Sequence, residues 1–378
     1  MYYYKVLNHI NDINASIWDA FFDDNPFTKH AFIDACESSL SASEKTGWIA
    51  HHFLIYRAHS LVAIVPGYLK SHSYGEYIFD WSWAEAYQNN GLNYYPKWIN
   101  AIPFSPIQGL RIAHKERDTI ALYRFICTTL NQVAHNNLWS GWHINFCDQT
   151  TSNLLKQQKI MPRIGVQFQW FNNSYSDFNG FLTSLNARKR KNIKKERQKV
   201  LSQDIQIEWL SGDDISDNLI KQFIEFYQRT YLKRSGHLGY LNIEFFTLLK
   251  EHLANDLIIM TATKSNELIA ATLSLKSDDI LYGRYWGANE PCDFLHFELC
   301  YYQGIEYCIK HKLKCFHSGA QGEHKIARGF EPVFTYSNHK IIHSDFALAI
   351  DDFLQRETQH MQQYFKECQA LSPYKKDD

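Results

Sequence analysis

The chain lacks the signatures of several simple functional classes. Its eight cysteines contain no CxxC pair, which leaves zinc-ribbon and dithiol redox sites without support, and they read as thiols of a reducing compartment. Its 18 histidines show no HExxH or comparable spacing, so no metal is expected. There is no GxSxG elbow for a serine nucleophile. No apolar run approaches the roughly 18–20 residues of a transmembrane helix. Met1-Tyr2-Tyr3-Tyr4-Lys5 has neither the basic region nor the apolar stretch of a signal peptide, so the expected location is cytoplasmic. Charge of either sign is not in excess: 39 basic against 40 acidic residues give a net charge of −1. Any attraction to nucleic acid or a membrane must therefore be local.

The 378 residues suffice for one large or two ordinary domains, and 45% hydrophobic with 21% charged residues is a globular composition. Aromatics reach 15%, enough to line a cleft as well as a core.

The order of elements occurs twice. His52–Tyr56 and Leu61–Val65 read as a hairpin, followed by a third strand, Tyr74–Trp81. Leu257–Ala262, Leu268–Leu275 and Tyr282–Gly287 repeat the plan. Lys70-Ser71 matches Lys276-Ser277, and Tyr74-Gly75 matches Tyr282-Gly283, at nearly constant offset. A helix and then a strand follow each meander. In the first half Ile120, Tyr123, Ile126, Cys127, Leu130 and Val133 form the helical stripe, before strand Trp142–Phe146. In the second half Phe294, Phe297, Tyr301, Ile305 and Cys308 do so, before Lys314–His317. The fold class expected is α/β (α+β): two tandem domains, each a mixed, mostly antiparallel sheet flanked by helices. The boundaries read as 1–165, 166–345 and a C-terminal helical segment, 346–378. Ala84–Arg117 is expected to be a long insert that either walls a cleft or covers a sheet edge.

Two polar segments stand out. Arg188–Lys199 holds eight basic residues and one acid, with Leu182, Leu185, Ile193 and Val200 on one helical face. It is either a solvated helix face or a site for an anion such as phosphate, carboxylate or an RNA backbone. Ser318–Pro332 packs three glycines with Gln321, Glu323, His324, Lys325 and Arg328 behind a strand, where α/β folds often place their sites.

Together the segments resemble the FemAB-like family (peptidoglycan biosynthesis/recognition proteins) of the GNAT acyltransferase superfamily. The resemblance is carried by Asn25-Pro26-Phe27, Thr46-Gly47-Trp48, Leu69 to Trp81, Arg188 to Ile193, Leu295-His296-Phe297-Glu298 and, most specifically, Gly319 to Phe330. It implies two tandem GNAT-like domains and N-acyl or aminoacyl transfer to an amine, with a peptidoglycan precursor as a possible acceptor. One departure concerns the donor. GNAT enzymes hold coenzyme A on a glycine-rich loop, whereas Asn289-Glu290-Pro291-Cys292-Asp293-Phe294 has no glycine and two acids. The donor is left open between aminoacyl-tRNA and acyl-CoA, and no cofactor is required.

Acyl transfer needs a proton acceptor, donors for the carbonyl oxygen and a place to hold both reactants. The catalytic candidates are Glu323 or His324 as base, and Tyr285 at the strand end with Gly287 admitting close backbone approach. The substrate-binding candidates are Asp80, Trp81, Trp83, Trp286, Gln321, Lys325 and Arg328. Arg188, Arg190, Lys191 and Lys194 are the anion or donor-binding candidates. Each has a plainer reading: a turn hydrogen bond for Glu323 and His324, capping for Asp80, core packing for the tryptophans and surface charge for the cations. Glu298 reads as a solvent-facing helix residue. Two rival functions remain open at this stage, a non-catalytic binder of a peptidoglycan precursor or similar glycopeptide and an RNA-binding protein. No DNA partner is expected.

Overall fold

The computed structural model describes residues 1–289, 291–320 and 322–375. The chain forms two units, Met1–Val166 with Phe334–Gln363 and Gln167–Val333 with Tyr364–Asp378. Each is α/β with mixed, mostly antiparallel strands and flanking helices, the class expected. The expected boundary at 345 differs from this division. Strand Glu331–Ile341 pairs antiparallel with Gly141–Cys147, from Tyr336 opposite Cys147 to Ile341 opposite Gly141, and this carries residues 334–363 back to the first unit. Such long-range pairing leaves no mark on local sequence pattern.

Both hairpins turn on two left-handed residues, Ala58 and His59 in one and Ser265 and Asn266 in the other. This is the turn whose twist matches that of the paired strands. His52–Arg57 pairs with Ser60–Val65, and Leu257–Lys264 with Glu267–Lys276. In the second unit Ile280–Ala288 continues the antiparallel order, and Ile205–Ser211 pairs on the far side of Leu257–Lys264.

The third strand of the first unit is not Tyr74–Trp81. Residues 71–80 form an irregular loop, and a helix, Trp81–Asn89, begins there. The strand is Lys97–Asn100, antiparallel to Tyr68–Lys70. The second hairpin strand breaks at Pro66-Gly67 because the Trp98 ring lies against Gly67, where an added Cβ would come within 2.0 Å of it. The insert relative to the second unit thus precedes the third strand, and 84–117 is not one long loop. It holds the end of that helix and strands Lys97–Asn100 and Ala113–His114.

In both units the third strand leads through a helix to a parallel neighbour. Helix Thr119–Asn136 joins Lys97–Asn100 to Gly141–Cys147. A short helix (Leu295–Phe297), one π-turn (Glu298–Tyr302) and helix Gln303–Lys310 join Ile280–Ala288 to Cys315–His317. The first-unit core packs Trp98, Trp142, Ile126 and Leu130 under the crossover helix. In the second unit Tyr285 packs among Tyr227, Phe245 and Phe246.

Gly287 serves the packing of helix Asp217–Ser235 rather than approach of a ligand. A Cβ there would lie 2.4 Å from the Phe226 carbonyl carbon and 2.5 Å from the Tyr227 nitrogen. Backbone cannot yield as a side-chain tip can. Gly287→Ala is expected to destabilise the protein by about 1–3 kcal/mol, measured as a lowered thermal unfolding midpoint. An unchanged midpoint would show that the helix sits further from the strand.

Candidate functional site

The second unit contains a place where two parallel strands part. Ile280, Leu281 and Tyr282 pair with Cys315, Phe316 and His317, and there the pairing ends. Ile280–Ala288 runs on, while the other chain turns away at Ser318-Gly319. Diverging strands leave main-chain groups that need other partners. Lys325 supplies two, donating from Nζ to the Ser318 oxygen at 3.0 Å and the Gly319 oxygen at 2.8 Å. Its side chain is only 2% exposed, and burial pulls its pKa down to about 7. An ammonium has three donors, so these two bonds leave one N–H.

His317 closes the paired part of the strand and is 3% exposed. Neither of its ring nitrogens has a hydrogen-bond partner among the described residues. Burial, with Lys325 and Arg284 nearby, holds it neutral with a pKa of about 3. Ser318 Oγ and Thr272 Oγ1 are likewise buried without partners among the described residues. The same strand parting in the first unit is filled by the chain itself. After Asn100 pairs with Ile144, Arg111 Nε donates to the Asn145 oxygen at 2.9 Å and Gly109 N to the Phe146 oxygen at 3.0 Å. Asn100 Nδ2 in turn donates to the Arg111 oxygen at 2.6 Å. The two partings differ chemically: one is sealed by backbone and a buried arginine, the other is lined by Lys325, His317 and Ser318.

The turn that brings Lys325 back is a 3₁₀ segment, Glu323–Arg328. Glu323 is exposed and accepts a bond from Tyr364 Oη at 2.8 Å. His324 Nε2 lies 2.8 Å from Tyr301 Oη, and partial burial with Arg328 and Lys325 lowers its pKa. Arg328 is buried. It donates to the His324 oxygen at 2.9 Å and to both oxygens of Glu196 at 2.9 and 3.0 Å, and its guanidinium lies 3.6 Å from the Phe297 ring centre. Tyr302 also donates to Glu196. The Gln321 reading lies outside the described residues. Trp286 is half-buried with its ring edge-on to His296 at 5.3 Å. Tyr285 belongs to the aromatic core described above.

Helix Ala187–Leu201, capped by Asn186, is the basic segment. Its one acid, Glu196, turns inward to Arg328. Arg197 also turns inward, to Glu298 at 2.9 Å and Glu306 at 2.7 Å. The exposed cations of the helix are Arg188, Lys191, Lys194, Lys195 and Lys199, with no exposed acid of its own helix among them, while Arg190 is half-buried. Glu298, expected to face solvent, is buried at the π-turn, where Gln303 Nε2 also donates to it at 2.7 Å.

The first-unit candidates have a different setting. Asp80 neither caps its helix nor lies on the surface: it pairs with Lys97 and accepts from Tyr94 Oη at 2.7 Å. Lys97, 0% exposed, also donates to Glu76 at 2.8 Å and Ser73 Oγ at 2.9 Å. Burial opposes the charges of Asp80 and Lys97, but mutual attraction prevails, holding Asp80 at about 2 and raising Lys97. Burial wins at Glu76, pushed up to about 7, and at Lys70, pulled down to about 6. Trp83 is buried beneath Arg163 rather than presented for stacking. Trp81, 42% exposed, does lie on the surface, its ring 4.8 Å from that of Tyr74. Sequence gave no sign of Lys97 because it sits in an apolar strand pattern. Lys97→Met leaves Asp80 and Glu76 buried without their cation and is expected to cost about 3–5 kcal/mol. The triple variant Lys97→Met, Asp80→Asn, Glu76→Gln should recover most of that loss in urea unfolding. A single variant as stable as the parent would remove Lys97 as the holder of the 71–80 loop.

Comparison with known proteins follows the same lines. The chain is similar to the crystal structure of FemX, with a TM-score of 0.54 and 12% identity over 92% of this chain and 100% of that one. It is also similar to the C-terminal domain of a putative lysylphosphatidylglycerol synthetase from Agrobacterium fabrum, with a TM-score of 0.50 and 9% identity over 89% and 93% of the two chains. L-PGS from Bacillus licheniformis gives a TM-score of 0.50 at 8% identity over 89% and 98%. At such identities these likenesses concern the fold. No curated protein matches the sequence. The family described as FemAB-like, peptidoglycan biosynthesis/recognition, matches residues 9–376, and the chain belongs to that family.

Proposed function

We propose that the protein is an N-acyl or aminoacyl transferase that modifies an amine of a peptidoglycan precursor, with its chemistry at the strand parting of the second unit. The observation that carries this reading is the second-unit parting, where buried Lys325 and His317 stand in place of the Arg111 and backbone plug of the first unit. Membership of a peptidoglycan-related family supports the acceptor class.

In the reaction the acceptor amine attacks the donor carbonyl carbon. A C–N bond forms, the donor's ester or thioester bond breaks, and the amine proton ends on the leaving oxygen or sulfur. His324 is our candidate for the group that takes the proton, since it is neutral at neutral pH. Lys325 offers its remaining N–H to the carbonyl oxygen or the leaving group. Glu323 lies at the surface in a bond with Tyr364, which suits holding the turn better than proton transfer. Arg328 positions His324 through its carbonyl and ties the turn to the basic helix through Glu196. Trp286 would wall the site.

The donor reading rests on charge. The Asn289–Phe294 segment has no glycine to cradle a pyrophosphate, whereas Arg188, Lys191 and Lys194 form an exposed cationic face. A polyanionic carrier such as tRNA fits that face better than coenzyme A.

The test is transfer from charged tRNA or acyl-CoA to a UDP-linked muropeptide. Lys325→Met is expected to lower turnover by about 100-fold or more and His324→Gln by at least about 100-fold. Glu323→Gln should stay close to the parent. The rate should rise with pH as His324 loses its proton, below 6.5, and fall as Lys325 loses its own near pH 7. Reversing Arg188, Lys191 and Lys194 to Glu should flatten the slope of log K for tRNA against log salt by about three. Tight muropeptide binding with no transfer from either donor would assign the protein to recognition instead.

A further inference from the structure

The second unit has an open sheet edge with a hollow beside it. Ile205–Ser211 ends the strand order, pairing with Leu257–Lys264 on one side and, among the described residues, with no strand on the other. Edge strands are ordinarily blunted by a lysine, a proline or a bulge, because their unpaired main-chain groups template a further strand. This one has none of the three. Its seven residues keep a single register against their neighbour, and Glu208 is its one charge. A cavity of about 480 Å³ lies against it, within the size range of ligand sites. Four successive strand residues, Ile207 to Leu210, line one side, and Arg197 with side chains of helix Gln303–Lys310 line the other. Successive strand residues point to opposite faces, so a hollow that touches all four follows the edge itself, over about 13 Å.

The walls define the occupant. Trp209 is half-buried and firmly held: its Nε1 donates to Gln303 Oε1 at 2.7 Å, its ring stands edge-on to Tyr307 at 5.2 Å, and the Lys310 ammonium lies 5.0 Å from its centre. With its N–H already spent, it offers only apolar surface, continued by half-buried Ile207 on the same face of the strand. Arg197 is shared between Glu298 and Glu306. Glu208 is exposed and takes part in no ion pair among the described residues. With Glu298 behind the wall, three carboxylates (Glu208, Glu298, Glu306) stand against two cations (Arg197, Lys310), so the groove is one charge negative. A second copy of the strand fits poorly. Antiparallel pairing centred on Glu208 would set that residue opposite itself, and like charges directly opposite repel.

We propose that this edge docks an extended segment of a partner protein, which adds one antiparallel strand outside Ile205–Ser211 with a lysine or arginine opposite Glu208 and an apolar side chain against Trp209 and Ile207. Main-chain donors and acceptors at strand spacing recognise another extended main chain, and the side-chain pockets on either face select its sequence. The cation opposite Glu208 meets the charge that the groove leaves unbalanced. Glu208 and Trp209 have no part in the proposed transfer reaction, so the docking site stands whether or not the second unit transfers an acyl group.

The experiment follows the fluorescence anisotropy of a labelled heptapeptide, blocked at both ends, as the full chain is added at low salt. The probe alternates threonine and valine around a central lysine. Saturable binding is expected, and replacing the central lysine by glutamate should weaken it about fivefold. The exposed Glu208→Lys variant should reverse that preference, binding the glutamate probe more tightly than the lysine one. Methylating alternate amide nitrogens of the probe should abolish binding for the set that faces the strand and spare it for the other set. No saturable binding of the lysine probe would overturn the proposal. So would equal affinity for the two probes, an unchanged preference in Glu208→Lys, or indifference to both methylation patterns. Self-association of the chain that Glu208→Lys alters, without peptide binding, would instead assign the edge to a second copy and overturn it as well.

Discussion

Two parallel strands that separate must find new partners for the main-chain groups they expose, and the two units differ in how each meets that demand. In the first unit the chain doubles back, and Arg111 and Gly109 bond the freed carbonyls of Asn145 and Phe146. In the second unit a lysine seven and six residues further on returns to take the carbonyls of Ser318 and Gly319. A backbone plug is inert once made. A lysine is not, because its remaining proton can be donated and its buried setting brings the loss of that proton near neutral pH. The Gly319–Phe330 string is long because it must leave the strand, turn and come back with Lys325 pointing at its own starting point.

The basic helix shows a related use of charge. A run of eight cations repels itself. Here two of its residues are withdrawn: Glu196 binds Arg328 and Arg197 is shared by Glu298 and Glu306. The π-turn at Glu298–Tyr302 assists, burying Glu298 for Arg197 while Tyr301 reaches His324 and Tyr302 reaches Glu196. Withdrawal of the only acid leaves the outer face uniformly positive. Paired and exposed charges are thus divided between two faces of one helix, which a count of charges along the sequence does not separate.

The parts legible in the sequence were those set by local chemistry. The hairpins, the two crossover helices and the capped basic helix all follow from periodicity and turn residues. The reading failed where partners lie far apart. Tyr74–Trp81 has a strand's alternation, yet its polar side chains go to Lys97 instead of a ladder, so it is a loop. Lys97 drew no reading, and Asp80 reads as a ligand contact or a cap. Tyr285 and Gly287 looked like a site because they end a strand, but helix Asp217–Ser235 covers them. His317 was passed over because a histidine in an apolar run usually packs. Only the end of strand pairing at that residue distinguishes it.

The buried cation at Lys97 explains why an irregular segment can persist in the first unit. Residues 71–80 make no ladder, so their order must come from side chains. Ser73, Glu76 and Asp80 all converge on one ammonium, which fixes three points of a ten-residue loop at once. Removing charges from water is costly, and an apolar core of equal volume would serve stability as well or better. What the apolar alternative could not do is hold Asp80 ionised with one oxygen left over. The loop that departs most from the repeat is therefore also the one ordered by buried charge.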